Sequence, residues 1–225
     1  MMGTICFLGT WSIDYGPTDK GVNMWSRQFE AVGRELFQRG LVASHSGNIS
    51  VRLGDRLVIT RRSCRLGSLS EQDLVETGVD RNDRNTPLAP PELEIHRAIY
   101  RLTPATAIIH AHPPYAVALS LTEAEIVPSD GEGAILFHRV PVLAWRGGGG
   151  QKRMGRDIAQ ALRQERVVLV CGHGSFAIGQ LMEEAYQRTT ALEGSCQILC
   201  ILRSLAKEKG SPASLGAPLS FSPKV

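Results

Sequence analysis

The stretch Ile108-Ile109-His110-Ala111-His112-Pro113-Pro114 constrains this chain more than any other. Three apolar residues, Ala107 to Ile109, run into a His-x-His pair and stop at a double proline. On an extended strand, side chains at i and i+2 share one side, so His110 and His112 project together. Neutral imidazole is the commonest protein ligand for zinc-like cations, and two on one strand supply half of a tetrahedral set. Proline cannot extend a ladder, so the pair sits at a strand end, where a cleft can open. The competing reading is a pair of partly exposed histidines beside a turn, and other residues must separate the two.

A third histidine helps. His173 also follows an apolar strand, Val167 to Val170, and lies between Gly172 and Gly174. On the helix expected over Pro91 to Leu102, Glu92 and His96 share a face at i,i+4. Three strand-end histidines and a nearby carboxylate resemble an open catalytic metal site, with a position left for substrate. A zinc-type cation there polarises a carbonyl while Glu92 takes or returns a proton. Cys171 is a weaker ligand candidate, because i,i+2 neighbours do not ordinarily both ligate. His45, in a polar turn, is a candidate substrate contact. His96 reads as a packed helix residue hydrogen-bonded near Glu92, and His138 as solvated.

Composition excludes several classes. A net charge of +3 and 6% aromatic residues give no basic, base-stacking surface for nucleic acid. No apolar run approaches the roughly 20 residues that span a bilayer. Residues 1–10 are mildly apolar but lack a basic leader, so they make a poor signal peptide. Five cysteines without a CxxC pair point to free thiols in a reducing, cytoplasmic compartment. Cys196 and Cys200 read as small core residues on one helix face.

Periodicity organises the rest. Phe29, Val32, Leu36 and Phe37 recur at helical spacing between Met24 and Arg39, and Gly40 ends that helix. Ile49 to Leu53 and Arg56 to Thr60 read as a hairpin turning at Gly54-Asp55. Ser70 to Asp73 resembles a helix start. A helix from Tyr115 to Leu121 follows the His-x-His strand. Val127 to Gly133 reads as a loop holding Asp130 and Glu132. Val140 to Trp145 is an expected strand, Arg146 to Arg153 a mobile glycine-rich loop, and Met154 to Arg166 a helix. A long helix from Leu181 to Lys207 closes the chain. Helices alternating with short strands predict one α/β domain over 23–208, with an arm over 1–22 and a flexible tail over 209–225.

Four blocks occur in a familiar order: Ser46-Gly47-Asn48-Ile49-Ser50, Pro91-Glu92-Leu93-Glu94-Ile95-His96 through Tyr100, Ile109-His110-Ala111-His112, and Gly172-His173-Gly174 followed by Glu183-Glu184-Ala185. In these the chain resembles the class II aldolase/adducin family over roughly Arg27 to Leu202. The resemblance implies a three-layer α/β/α sandwich with a mainly antiparallel central sheet. It implies Zn²⁺ on His110, His112 and His173, with Glu92 as the catalytic carboxylate that also binds the metal when substrate is absent. It further implies a homotetramer with active sites between subunits. The expected reaction, of the L-fuculose-1-phosphate aldolase type, cleaves a phosphorylated ketose to dihydroxyacetone phosphate and an aldehyde, with zinc holding the hydroxy-keto oxygens.

The chain departs from the family's phosphate site. Ser46, Gly47 and Asn48 match the first phosphate turn. Arg62-Ser63 replaces a Thr-Gly pair, and Pro90 and Pro91 replace two serines, which removes their donors. Arg62 is the candidate substitute, since guanidinium suits phosphate or carboxylate. Asp130 stands where the family carries a tyrosine, with Glu132 close by, and makes a candidate second acid/base or substrate contact. Turn acids beside glycines are the alternative for both. The substrate expected is thus a small, anionic sugar-like molecule. The alternatives are epimerisation, dehydration or decarboxylation of a sugar or sugar-acid phosphate, and a non-enzymatic adducin-like assembly module.

Overall fold

The strand that carries His110 is apolar on both faces, which requires a covering layer on each. A computed structural model, which describes residues 20–144 and 150–208, shows both layers. The strands are β1 (Asn48–Leu53), β2 (Arg56–Thr60), β3 (Leu74–Gly78), β4 (Ala107–Ala111), β5 (Glu125–Ile126), β6 (Val140–Leu143), β7 (Val167–Val170) and β8 (Gly174–Gly179). They form one sheet in the order β3-β2-β1-β4-β8-β7-β6-β5. Only the β6–β7 pairing is parallel. The helices are α1 (Lys20–Gln38), α2 (Leu93–Leu102), α3 (Pro114–Ser120), α4 (Gly131–Leu136), α5 (Gly150–Ala161) and α6 (Met182–Glu208).

The two faces separate by strand parity. Ile108, Val168, Val170, Phe176 and Ile178 pack with Ile95 and Ile99 of α2 and Ile158 of α5. Their neighbours one residue along turn the other way. Ile49, Val51 and Ile109 meet Phe29 and Leu36 of α1 and Ala185 of α6. Val167, Leu169 and Ala177 meet Leu119 of α3 and Leu192 and Cys196 of α6. This is the expected three-layer α/β/α sandwich around a mainly antiparallel sheet. His110 has the parity of Ile108, so its ring points into the α2–α5 layer.

Several local expectations hold. The β1–β2 hairpin closes at Gly54-Asp55, with Leu53 opposite Arg56. After α1, Gly40 N–H donates to Phe37 O at 3.0 Å and Leu41 N–H to Leu36 O at 2.9 Å, the paired bonds of a Schellman ending. Cys196 is a core residue.

Others are corrected. Ser70 and Asp73 do form a capping box, but on one 3₁₀ turn that runs straight into β3. The β-branched Val75 and Thr77 favour the strand that follows. The loop over 127–133 ends in a helix: Asp130 caps α4, which begins at Gly131. Two glycines in its first turn hid that helix from propensity. The segment from Gly150 to Arg153 is the first turn of α5, which ends at Ala161 rather than Arg166. Residues 146–149 of the expected mobile loop lie outside the described residues, as does the tail from 209. The arm over 1–22 lies outside them up to residue 19, and α1 begins at Lys20. β8 was not anticipated: it is buried on both faces and shows no alternation.

Candidate metal centre

Each histidine of the predicted set occupies a different kind of support. His110 is the penultimate residue of β4, opposite Asn48 on β1 and Phe176 on β8. His112 lies just past the end of β4, where its N–H donates to Leu41 O at 2.8 Å. His173 is in the three-residue turn between β7 and β8, closed by the pairing of Val170 with Gly174. The fold brings the three rings together. Their ligating nitrogens all lie within 4.8 Å of one another. The Nε2 atoms of His110 and His112 are 3.0 Å apart.

Whether this set suits a cation depends on lone pairs. His110 Nδ1 lies 2.9 Å from Ser175 O. A carbonyl only accepts, so Nδ1 carries the proton and Nε2 presents its lone pair to the other rings. Burial, and then the neighbouring His112 and His173, push His110 well below its ordinary range. Burial also lowers His112 to about 4, with His173 adding to the effect. His173 is lowered by burial, with Glu92 acting in the opposite direction. All three are therefore neutral at pH 7, the ligating form. Close, uncharged imidazoles, with the Nε2 lone pair of His110 facing the other two rings, could hold a divalent metal. Phe176 stacks on His110 with centroids 4.2 Å apart and fixes its plane.

Glu92 stands as the N-cap residue of α2. Asn48 Nδ2 donates to its Oε2 at 3.3 Å. Because Asn48 is the register partner of His110, this bond ties the carboxylate to the histidine end of the sheet. Asn48 Oδ1 is buried without a partner. Its neighbour Gly47 has φ +78°, and a Cβ there would meet His110 O at 2.8 Å and Val42 Cγ1 at 2.7 Å. Only glycine fits so close to the strand that carries His110. Ser46 Oγ accepts Ala43 N–H at 2.8 Å and closes the turn.

The remaining candidates stand as follows. Arg62 is exposed, and its Nε donates to Ala89 O at 3.3 Å, in the loop leading to Glu92. Ser63 has φ +59°. Asp130 Oδ2 accepts Gly133 N–H at 2.8 Å as the cap of α4, while Oδ1 is buried without a partner. Glu132 is exposed in the first turn of α4. Cys171 is outside the cluster of ligating atoms. His45 is exposed and bonds Ser44 Oγ at 3.1 Å; His138 is exposed.

His96 is packed and bonded to Glu92 as expected, but sequence reasoning missed its buried partners Ser50 and Tyr100. Ser50 Oγ bonds both His96 Nδ1 and Tyr100 Oη at 2.6 Å, all fully buried between β1 and α2. His96 is one turn from Glu92 and its N–H donates to Glu92 O at 3.1 Å. The signal was available: Ser50, His96 and Tyr100 are polar residues at core-facing positions.

Comparison with known proteins agrees with this geometry. The family model for the class II aldolase and adducin N-terminal domain matches residues 27–200. An L-fuculose phosphate aldolase of Methanocaldococcus jannaschii is 30% identical over 82% of this chain and 100% of its own length. A probable bifunctional methylthioribose-1-phosphate isomerase/methylthioribulose-1-phosphate dehydratase of Nocardia farcinica is 30% identical over 75% of this chain. The chain spans only 34% of that longer protein. A 3-oxo-tetronate 4-phosphate decarboxylase of Escherichia coli is 28% identical over 76% of this chain and 84% of its own. Among solved structures, L-fuculose-1-phosphate aldolase from Thermus thermophilus matches with a TM-score of 0.75 and 35% identity, covering 84% of this chain and 97% of that one. This chain belongs to the class II aldolase and adducin N-terminal domain family.

Proposed function

We propose that the chain is a metal-dependent lyase acting on a small phosphorylated ketose, cleaving it to dihydroxyacetone phosphate and an aldehyde. The observation that carries this reading is the convergence of three neutral imidazoles, with Asn48 tying the Glu92 carboxylate to the same end of the sheet. In it His110, His112 and His173 hold Zn²⁺, and Glu92 is a further ligand when substrate is absent. A cation held there supplies Lewis acidity to a carbonyl and adjacent hydroxyl of the substrate. Glu92 moves the proton on and off that hydroxyl or carbon. Asn48 holds Glu92 in place, and its unpaired Oδ1 is an acceptor for a substrate hydroxyl. Ser46, Gly47, Ser63 and Arg62 form the anion subsite, with Arg62 compensating for the donors lost at Pro90 and Pro91. Assembly as a cytoplasmic homotetramer with sites between subunits completes the proposal. Among the described residues no helix is long and apolar enough to cross a membrane.

One observation favours a second outcome. Asp130, the candidate second acid, caps a helix through Oδ2. A site short of a second proton donor suits decarboxylation of a sugar-acid phosphate, the reaction named for one relative, because carbon dioxide leaves without taking a proton; dehydration of a sugar phosphate, named for another, would need Glu92 to return its proton to the departing hydroxyl. Epimerisation is a further alternative. The retained histidines and Glu92 argue against a non-enzymatic assembly module.

The test is release of dihydroxyacetone phosphate from a panel of ketose 1-phosphates by zinc-loaded protein, with His110→Ala as control. Release that disappears in the control supports aldol cleavage. Silence with zinc still bound moves the assignment to decarboxylation or dehydration, read by carbon dioxide or α-dicarbonyl formation. An Asp130→Asn enzyme with unchanged turnover removes Asp130 from the chemistry.

A further inference from the structure

α3 is a seven-residue helix with nothing catalytic in it, yet it joins two of the three histidines. Its first residue is two positions after His112. Pro113 and Pro114 have no N–H, so the helix start offers only the N–H groups of Tyr115 and Ala116 to a nearby acceptor. Both go to one carboxylate: Tyr115 N–H donates to Glu193 Oε1 at 3.0 Å and Ala116 N–H to Glu193 Oε2 at 2.9 Å. Glu193 comes from α6, between the core residues Leu192 and Cys196. A half-buried acid on an apolar helix face costs stability unless it is hydrogen-bonded, and these two N–H groups supply the bonds.

The other end of α3 is as firmly held. Ser120 is only 2% exposed. Its hydroxyl donates to Val117 O at 2.7 Å and accepts the N–H of Gly172 at 2.9 Å. Gly172 immediately precedes His173 and has φ +65°, a conformation that glycine adopts freely. A Cβ there would meet Leu121 Cδ2 at 3.1 Å, so the end of α3 and the β7–β8 turn are in close contact.

We infer that α3 is a brace that sets the separation of His112 and His173, with Glu193 and Ser120 as its positioning residues at the two ends. The ladder that fixes His110 stops short of His112, and His173 stands on a turn. His112 N–H rests on Leu41 O, and Gly174 beside His173 lies close against Ala111 O; α3 adds a contact of its own to the backbone beside each histidine. This inference rests on the reading of the three histidines as a metal site.

The experiment measures Zn²⁺ affinity by chelator competition, and the visible absorption of bound Co²⁺ as a report on ligand geometry. The full chain is compared with Ser120→Ala, Glu193→Gln, His110→Ala and Thr189→Ala. Thr189 is an equally buried hydroxyl of α6 bonded only within its own helix, to Ala185 O at 2.8 Å, so Thr189→Ala reports a loss of buried polarity without a brace. Ser120→Ala and Glu193→Gln should each weaken Zn²⁺ by about 10–100-fold and alter the Co²⁺ spectrum. Thr189→Ala should leave both unchanged even where it lowers thermal stability. Parent affinity and spectrum in both brace variants overturn the inference while leaving the metal site standing. A parent chain that binds no more tightly than His110→Ala overturns the metal reading, and the brace falls with it. If Ser120→Ala does not fold, Ser120→Thr, which keeps the hydroxyl, together with Glu193→Gln decides the matter: retained affinity in the first and loss in the second support the brace, and equal affinity in both overturns it.

Discussion

The two ends of the β4–β8 pair make instructive opposites. Where β4 begins and β8 ends lies a cleft of about 590 Å³, lined by Trp25, Gln28, Arg52, Thr106, Gln180 and Glu183 among others. Where β4 ends and β8 begins stand the three histidines. The cleft is roomy, but several of its polar groups have partners. Gln28 Nε2 bonds Glu183, Thr106 Oγ1 bonds Gln180 O, Gln180 Nε2 bonds Pro104 O, and Arg52 bonds Gly54 O and Tyr100 O. The histidine end differs. Asn48 Oδ1 and His96 Nε2 are buried there without partners, beside three rings whose ligating nitrogens lie within 4.8 Å of one another. Volume does not point to the histidines. Buried polar atoms without partners distinguish the proposed site, because burying them costs stability that a purely structural region would not give up.

That contrast can be broken in four ways. The largest effect should come from His173→Ala, which removes one of the three proposed ligands. Zinc content should fall to background, and kcat/KM should drop by about three orders of magnitude, roughly 4 kcal/mol. Near-parent activity with no bound metal would dismantle the distinction between the two ends. Next, Glu92→Gln should cost about 10²–10³-fold in kcat while metal stays bound, since the proposed proton carrier is lost and the proposed ligand triad kept. A metal-free Glu92→Gln protein would make Glu92 a ligand first and a base second.

Third is acid stability of the metal-free protein. Burial holds His96 at about 3, against an ordinary value of 6.5. Between these values the unfolded chain takes up a proton that the folded chain refuses. Stability is therefore lost as pH falls below 6.5, by about 1.4 kcal/mol per unit, or roughly 2 kcal/mol at pH 5 from this residue. Urea midpoints measured from pH 7 to 4 should slope less steeply in His96→Gln than in the parent chain. Equal slopes would mean that His96 is solvated and that the layer beneath Glu92 is not sealed. The smallest effect belongs to the far end. Gln28→Ala should leave kcat and KM within about twofold, because its bond to Glu183 is exposed and long at 3.5 Å. A larger change in steady-state kinetics would give the cleft a part in catalysis.

How much of this was legible beforehand differed from element to element. α1 with its Gly40 ending, the Gly54-Asp55 hairpin and α6 were readable because apolar period and turn chemistry agree there. Reading β4 as a strand put His110 and His112 on one side, and their Nε2 atoms do meet at 3.0 Å. α4 and the first turn of α5 were unreadable, since glycine-rich starts look like loops until packing offsets their entropy. β3 was hidden by a capping box that is real but local. β8 has no alternation to see, because both its faces are covered.

The sequence by itself determined the chemistry available: three histidines after apolar strands, a carboxylate at a helix start, glycines where backbone must pass close. It also determined the family, since four short blocks keep their order. Only the tertiary structure decided how those groups are held. A hydrogen bond between residues distant in sequence leaves no periodic trace. Ser175 O setting the tautomer of His110, Asn48 tying down Glu92, and Ser120 and Glu193 gripping the two ends of α3 are bonds of that kind. Local propensity chooses elements one at a time, whereas a metal site needs several elements to agree to within a fraction of an ångström, and only their packing against one another can impose that.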